Sequence, residues 1–384
     1  MSARQATLPF VAAAAQLPPA WADAGGVAFE IGWDHAQHRL APPVEHLQAS
    51  NPLRHGWEAG RAAFGSRTRQ ATPQVRKWLQ LRVSAWQRGR AFETLTVTPA
   101  FLRRIETDAC PITHEPLTHA TGTPSDASVD RVNNDAGYAA GNLAVMSVRA
   151  NRAKAAYAWD DAMAFVRQIE AGRLGAIDGL DAAQWARLAV LTSFATPLAH
   201  AQAATLPLLV LPPPRLRLLN AVQCLQVMLT QQFTRDGYTQ RIAMLTALMP
   251  DAEARDAMRG FMHTLLARRI AAGPLADPGA LRRTLEAVWC DPLVLRRWQR
   301  LALRLSEAQC EQIVRTAQGR GLAGPQLRWL PQPLATEGWG LESRGYAQPR
   351  RLEPAPGPAP AAVGSSRAAT QPDRNVPLAA ELAA

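Results

Sequence analysis

The chain has 384 residues, 47% apolar and 19% charged, with 42 basic against 31 acidic side chains and a formal net charge of +11. That length allows two or three domains with at least one substantial core. No stretch of about 18 uninterrupted apolar residues exists, so a membrane span is not expected. Cys110, Cys224, Cys290 and Cys310 show no CxxC pair, which excludes a disulfide scaffold and reads as reduced, mostly buried thiols of a cytoplasmic protein. Only Lys77 and Lys154 are lysines. The remaining positive charge is arginine, whose planar fork grips phosphate at two points, so the balance fits a polyanionic partner. GC-rich coding is an alternative source of the ratio of arginine to lysine, but not of the net charge.

Residues 1–50 are mixed in character. The apolar run Leu8 to Ala15 has a thin basic flank and is soon broken by prolines, so a cleaved leader is not expected. Alternation at Val27-Ala-Phe-Glu-Ile31 predicts a short strand. Asp34, His35 and His38 bring a carboxylate and imidazoles together, without the second ligand cluster a metal site needs.

Residues 51–108 form a basic helical segment, in which Asn51 to Arg104 carries eleven basic residues against Glu58 and Glu93. Thr72-Pro73 predicts a helix start, with Thr as N-cap and Pro in the first turn, and Gly89 its end after Arg88. Val75, Trp78, Leu79, Val83 and Trp86 recur at steps of three and four and predict a buried stripe. Arg76, Lys77 and Arg82 lie off it and are expected to meet solvent or phosphate.

Residues 109–170 hold the informative motif. Ser128–Val132 predicts a strand, Asn133–Gly141 a loop, Leu143–Met146 a second strand, and Val148–Tyr157 a helix capped by Ser147. The hairpin and helix would carry Asp130 and Asn151 toward one cation. Asn133, Asn134 and Gly137 read as turn formers, and Tyr138 as packed under the loop.

From about Ala182 the pattern is helical. Periodic segments are predicted at 182–195, 215–231, 237–249, 251–272, 278–290, 293–305 and 306–319, separated by Pro and Gly punctuation. These make an α-helical bundle over residues 176–325. Residues 326–384 are expected to form a Pro/Ala-rich, largely disordered tail, most plainly from about Arg350. The fold class expected is α+β, mostly α.

The motif resembles the HNH, or ββα-metal, endonuclease family over about residues 110–157, an eighth of the chain. Asp130-Arg131-Val132 matches the first family element, Asn142-Leu143 the second and Asn151-Arg-Ala-Lys154 the end of the third. The closest branch is written S-[LIV]-D-R-[IV]-[DN]-N-x-x-G-Y-x-x-G-N. The resemblance implies hydrolysis of phosphodiester bonds with one magnesium, or manganese, ion held by Asp130 and Asn151, and Asn142 fixing the catalytic geometry. The partner implied is nucleic acid, DNA before RNA.

Two departures stand out. Arg131 occupies the usual place of the general-base histidine, where a guanidinium can bind phosphate but not accept a proton. His114 and His119 are the nearest substitutes, with Asp135 behind them. Ser147 and Ala150 stand where a zinc-binding cysteine pair would be, leaving Cys110 alone, so structural zinc is not expected. Arg76, Lys77, Arg82, Arg149, Arg152 and Lys154 are the candidate nucleic-acid contacts. The function expected is an HNH-type endonuclease. The alternatives are a non-catalytic nucleic-acid binder on the same scaffold and a helical interaction protein, the bundle serving a protein partner or oligomer.

Overall fold

The computed structural model describes residues 24–172, 174–273, 277–324 and 327–346. The apolar run Leu8 to Ala15 and the stretch from Arg350 lie outside the described residues. The described chain is mostly helical, with one small antiparallel sheet.

Val27–Ile31 is not a strand. It belongs to α1 (Ala24–Gln37), whose buried residues Ala28, Ile31, Gly32, His35 and Ala36 recur at helical spacing, so the local alternation was a fragment of a 3.6-residue pattern. α2 (Pro52–Phe64) starts at Asn51, whose side chain accepts the Leu53 N–H at 3.0 Å. The two helices pack backbone to backbone. A Cβ on Gly56 would sit 1.9 Å from Phe29 O, and one on Gly32 1.9 Å from Leu53 O, so only hydrogen fits at either position.

α3 (Pro73–Gln87) begins as its sequence predicts, with Thr72 accepting the Val75 N–H at 3.2 Å, and it stops before Gly89 at φ +59°. Val75, Leu79 and Val83 are buried, whereas Trp78 and Trp86 are half-buried and donate their indole N–H to Val97 O and Ala24 O. α4 (Pro99–Ile105) follows.

β1 (Ala127–Arg131) pairs antiparallel with β2 (Leu143–Ser147), with Ser128 opposite Met146 and Asp130 opposite Ala144. Alternation divides the side chains between two faces. Ala127, Val129, Leu143 and Val145 pack with Leu81, Phe101, Leu102 and Ile105 of α3 and α4. Ala144 and Met146 pack the other way, with Ala150 and Ala153 of α5 (Val148–Lys154). Ser147 caps α5 by accepting the Ala150 N–H at 3.2 Å.

Beyond lie α6 (Trp159–Glu170), α7 (Ala182–Phe194), α8 (His200–Thr205), α9 (Ala221–Thr230), α10 (Tyr238–Thr246), α11 (Ala252–Ala271), α12 (Pro278–Ala287), α13 (Pro292–Ala302), α14 (Glu307–Gly319) and the short α15 (Gln332–Ala335). The helix expected at 215–231 starts only at Ala221. The Arg217 and Leu219 N–H groups instead donate to Gly141 O at 3.0 Å and Phe194 O at 2.8 Å, tying an extended segment to the hairpin loop and to α7. The helix expected to reach Cys290 ends at Ala287 and passes into one tighter turn.

One apolar cluster extends from Ala144 and Met146 through Trp185 to Phe261, Trp289 and Trp298, whose rings lie 5.5–5.8 Å apart. Cys110, Cys224 and Cys310 are buried and Cys290 is exposed. Burial raises the Cys224 thiol, and burial with Glu307 and Glu311 nearby raises Cys310 to about 12, so both are inert.

Residues 327–346, placed by composition at the head of the tail, are built into the fold. Trp339 is fully buried and donates its indole N–H to Ala140 O at 3.1 Å, while Trp339 O accepts the Gly137 N–H at 2.7 Å.

Candidate functional site

The side chains of Ser128 and Asp130 share one face of β1, and α5 lays Asn151 and Lys154 across it, one turn apart. Asn151 Nδ2 donates to Ser128 Oγ at 2.7 Å, which turns its Oδ1 away as an acceptor. Lys154 Nζ donates to Arg131 O at 2.8 Å and Asn134 Oδ1 at 3.1 Å, and lies 2.9 Å from Asp130 Oδ2. Asp130 Oδ2 is buried and receives no aligned hydrogen bond, so its tie to Lys154 is Coulombic. The Asp130 side chain is 11% exposed and that of Lys154 0%. Lys154 was expected among the nucleic-acid contacts. It is instead a buried internal cation, with two hydrogen bonds and the Asp130 charge beneath the hairpin.

The loop above is held by Asn142, fully buried, whose Oδ1 accepts the Asn133 N–H at 2.8 Å and whose Nδ2 donates to Asn133 O and Gly137 O at 3.0 Å each. Its work is on the loop backbone. Gly141 at φ +89° lets the chain turn where a Cβ would meet Arg217 Cγ at 2.4 Å. Tyr138 is packed beneath the loop, stacked 5.8 Å from Phe92.

Arg131 follows Asp130 and therefore lies on the opposite face of the strand. Its Nη1 donates to Asn134 O at 3.0 Å and Ala136 O at 2.8 Å, and its guanidinium sits 5.3 Å from the Tyr138 ring centroid. It props the loop and does not join the Asp130 face.

Neither histidine meets the acidic residue. His114 Nε2 lies 3.5 Å from Glu286 Oε2 of α12, and His119 is exposed without a hydrogen bond among the described residues. Asp135 is exposed, and its N–H donates to Asn133 Oδ1 at 2.8 Å. Cys110 Sγ accepts the N–H groups of Thr113 at 3.5 Å and Ser147 at 3.3 Å, spending the thiol on the turns around β2.

The basic candidates fare unequally. Arg76 and Arg152 are exposed, and Arg149 lies 3.5 Å from Glu115. Burial lowers the Lys77 pKa, opposed by the charge of Asp126. Arg82 was expected to face solvent or phosphate, but it is 4% exposed, paired with Asp34 and 3.7 Å from Glu30. Asp34 is thereby taken by an arginine, and His35 Nδ1 donates to Ile31 O at 2.7 Å, so this group serves packing. A cavity of about 480 Å³ lies here among Phe29, Trp33 and Trp78, and none of its lining residues comes from the hairpin or α5.

Ser128 is the functional position that sequence reading left without a role. Its signal was its place two residues before Asp130 on a strand, which puts both on one face. Arg90 stands out in the sequence only as one of the basic residues between Asn51 and Arg104, and chain distance hides its pairing with Tyr346.

Among the described residues, no three His, Cys, Asp or Glu side chains cluster as a metal site, and no helix is long and apolar enough to cross a membrane. Comparisons with protein families, curated proteins and solved structures find no match to this chain.

Proposed function

We propose that the chain is an HNH-type endonuclease that hydrolyses nucleic-acid phosphodiester bonds, DNA before RNA, at the face shared by β1 and α5. What supports this reading is the motif itself and the placing of Ser128 and Asp130 on the strand face that α5 covers, where Asn151 bonds Ser128 at 2.7 Å and Asp130 Oδ2 is buried. The Lys154 ammonium 2.9 Å away compensates this carboxylate, so a metal ion would take the place of that contact. One carboxylate and one amide oxygen suit magnesium or manganese, which keep much of their water and take substrate phosphate as a ligand. Bound there, such an ion supplies Lewis-acid polarisation of the phosphate and stabilises charge on the leaving oxygen. Asp130 and Asn151 would hold it, Ser128 orients the Asn151 amide, Asn142 fixes the loop, and Arg152 is free to meet the backbone.

A non-catalytic binder on the same scaffold is the alternative. It is favoured by the Lys154 ammonium 2.9 Å from Asp130 and by the placement of His114 against Glu286. Positioned general-base help is worth about 10²–10⁴ in rate, and no histidine offers it here.

Purified protein is incubated with supercoiled plasmid and with single-stranded RNA, in magnesium and in EDTA, beside Asp130→Asn and Asn151→Ala. Magnesium-dependent nicking lost in both variants supports the endonuclease. Salt-sensitive gel retardation without cleavage transfers support to the binder, and neither result at low salt overturns both.

A further inference from the structure

The side of the hairpin away from Asp130 gathers arginines that have no carboxylate. Residues 90–92 run between the loop and the strap formed by residues 327–346: the Ala91 N–H donates to Gly345 O at 2.7 Å, the Tyr138 N–H to Ala91 O at 2.9 Å, and Arg90 bridges to Tyr346. This places the Arg90 guanidinium 3.4 Å from the Tyr346 ring centroid, with Nη1 donating to Arg344 O at 3.4 Å. Arg131 lies over Tyr138 from the neighbouring strand. The charges that act on Arg90 are Arg131, Arg88 and the two tyrosines, and burial together with Arg131 pulls its pKa down.

In the bundle, Arg259, Arg268, Arg282, Arg304 and Arg315 each face an Asp or Glu, whereas Arg187, Arg241 and Arg297 are held singly by carbonyl oxygens. At the hairpin the guanidiniums are held by carbonyl oxygens and ring faces, which orient them without neutralising them. Arg88, Arg344 and Tyr346 are exposed beside them. Like charges held together unneutralised are relieved by an anion, and several guanidiniums interleaved with aromatic rings suit a chain of phosphates better than a single one.

We propose that Arg88, Arg90, Arg131 and Arg344, set around Tyr138 and Tyr346, form a surface that grips the phosphodiester backbone of nucleic acid, distinct from the Asp130 face and completed by the strap. It rests on the nucleic-acid reading above but not on cleavage. Three separate stretches of chain build it, so binding and strap docking are coupled.

The test is fluorescence anisotropy of the full chain in EDTA with labelled oligonucleotide, between about 50 and 200 mM salt. Single-stranded and duplex arms report which form is held. Arg90→Gln with Arg344→Gln should weaken binding about 10- to 100-fold at low salt and reduce the log–log salt slope by about 2. Arg88→Gln with Arg344→Gln, both exposed, gives the same direction if the first pair disturbs the strap. Arg259→Gln with Arg315→Gln, on carboxylate-paired bundle positions, should change affinity less than about 2-fold. Unchanged affinity and slope in both hairpin pairs, an equal loss from the bundle pair, or no wild-type binding in either arm overturns the proposal. So does equal competition by polyglutamate, which would assign the surface to protein carboxylates. If the wild type nicks plasmid in magnesium while both hairpin pairs bind in EDTA as the wild type does, the surface fails and the nuclease stands.

Discussion

Lys154 and Asp130 neutralise each other without an aligned hydrogen bond: the buried ammonium lies 2.9 Å from Oδ2, yet that oxygen has no donor pointed at it. The ammonium already spends its directional bonds on Arg131 O and Asn134 Oδ1. The carboxylate is thus charge-compensated without a directional bond at Oδ2.

Lys154→Met should therefore cost roughly 3 kcal/mol, because it strands a mostly buried carboxylate and two loop acceptors. Adding Asp130→Asn should recover part of that loss. Manganese should raise the melting temperature of Lys154→Met more than that of the wild type, by removing the competing cation. Urea unfolding and thermal shift measure both effects. A fully stable Lys154→Met protein that ignores manganese contradicts the arrangement.

Gly56→Ala should destabilise by about 3 kcal/mol or more, since its new methyl would overlap Phe29 O and the two helices must part. Limited proteolysis should show early cleavage in α1 or α2. Wild-type resistance would mean that the helix pair has slack which the 1.9 Å approach denies.

Stability should fall in mild acid. Burial, with the Arg82 charge, holds the His35 imidazole below its ordinary 6.5 despite the bond to Ile31 O, and burial also lowers His38. The unfolded chain then takes protons more readily than the fold. The contribution is complete above the unfolded value of about 6.5 and is lost as pH falls through the lower folded values. Urea midpoints at about pH 7.5 and 5.5 should differ, and less so in His35→Gln. An identical drop in the variant removes His35 as a cause.

Trp339→Ala should cost about 3–5 kcal/mol and release the strap. Its readout is local: the Gly137 N–H, bonded to Trp339 O at 2.7 Å, should lose hydrogen-exchange protection before the bundle amides do. Simultaneous loss everywhere would show that the strap does not open separately.

Much of this was legible in the chain itself. Thr72, Ser147, Asp251 and Ser306 are N-caps whose side chains announce a helix start, and all four accept the backbone N–H three residues on. Local chemistry decides such features. Hairpin and helix periodicity also sufficed to put Asp130 on a strand and Asn151 in the helix that follows, where it bonds Ser128. Arg82 and Lys154 misled because exposure was inferred from charge, whereas each is buried by a carboxylate, Asp34 or Asp130, that no spacing rule pairs with it. Val27–Ile31 is too short a window to separate periods of 2 and 3.6 until Gly32, His35 and Ala36 are counted. The segment from Arg215 to Asn220 looked helical because its leucines suit either period. Its backbone is claimed by Gly141 and Phe194, contacts only the tertiary fold supplies.

The apolar cluster that joins Ala144 and Met146 to Trp289 and Trp298 has a mechanical consequence. β2 has no stiff support of its own beyond a five-residue partner, so its precision is borrowed from the helices behind it. Truncating Trp298, which touches none of the candidate residues, would loosen the platform on which Asp130 and Asn151 are aligned. Loss of the proposed activity on substituting Trp298 would therefore not identify Trp298 as a contact.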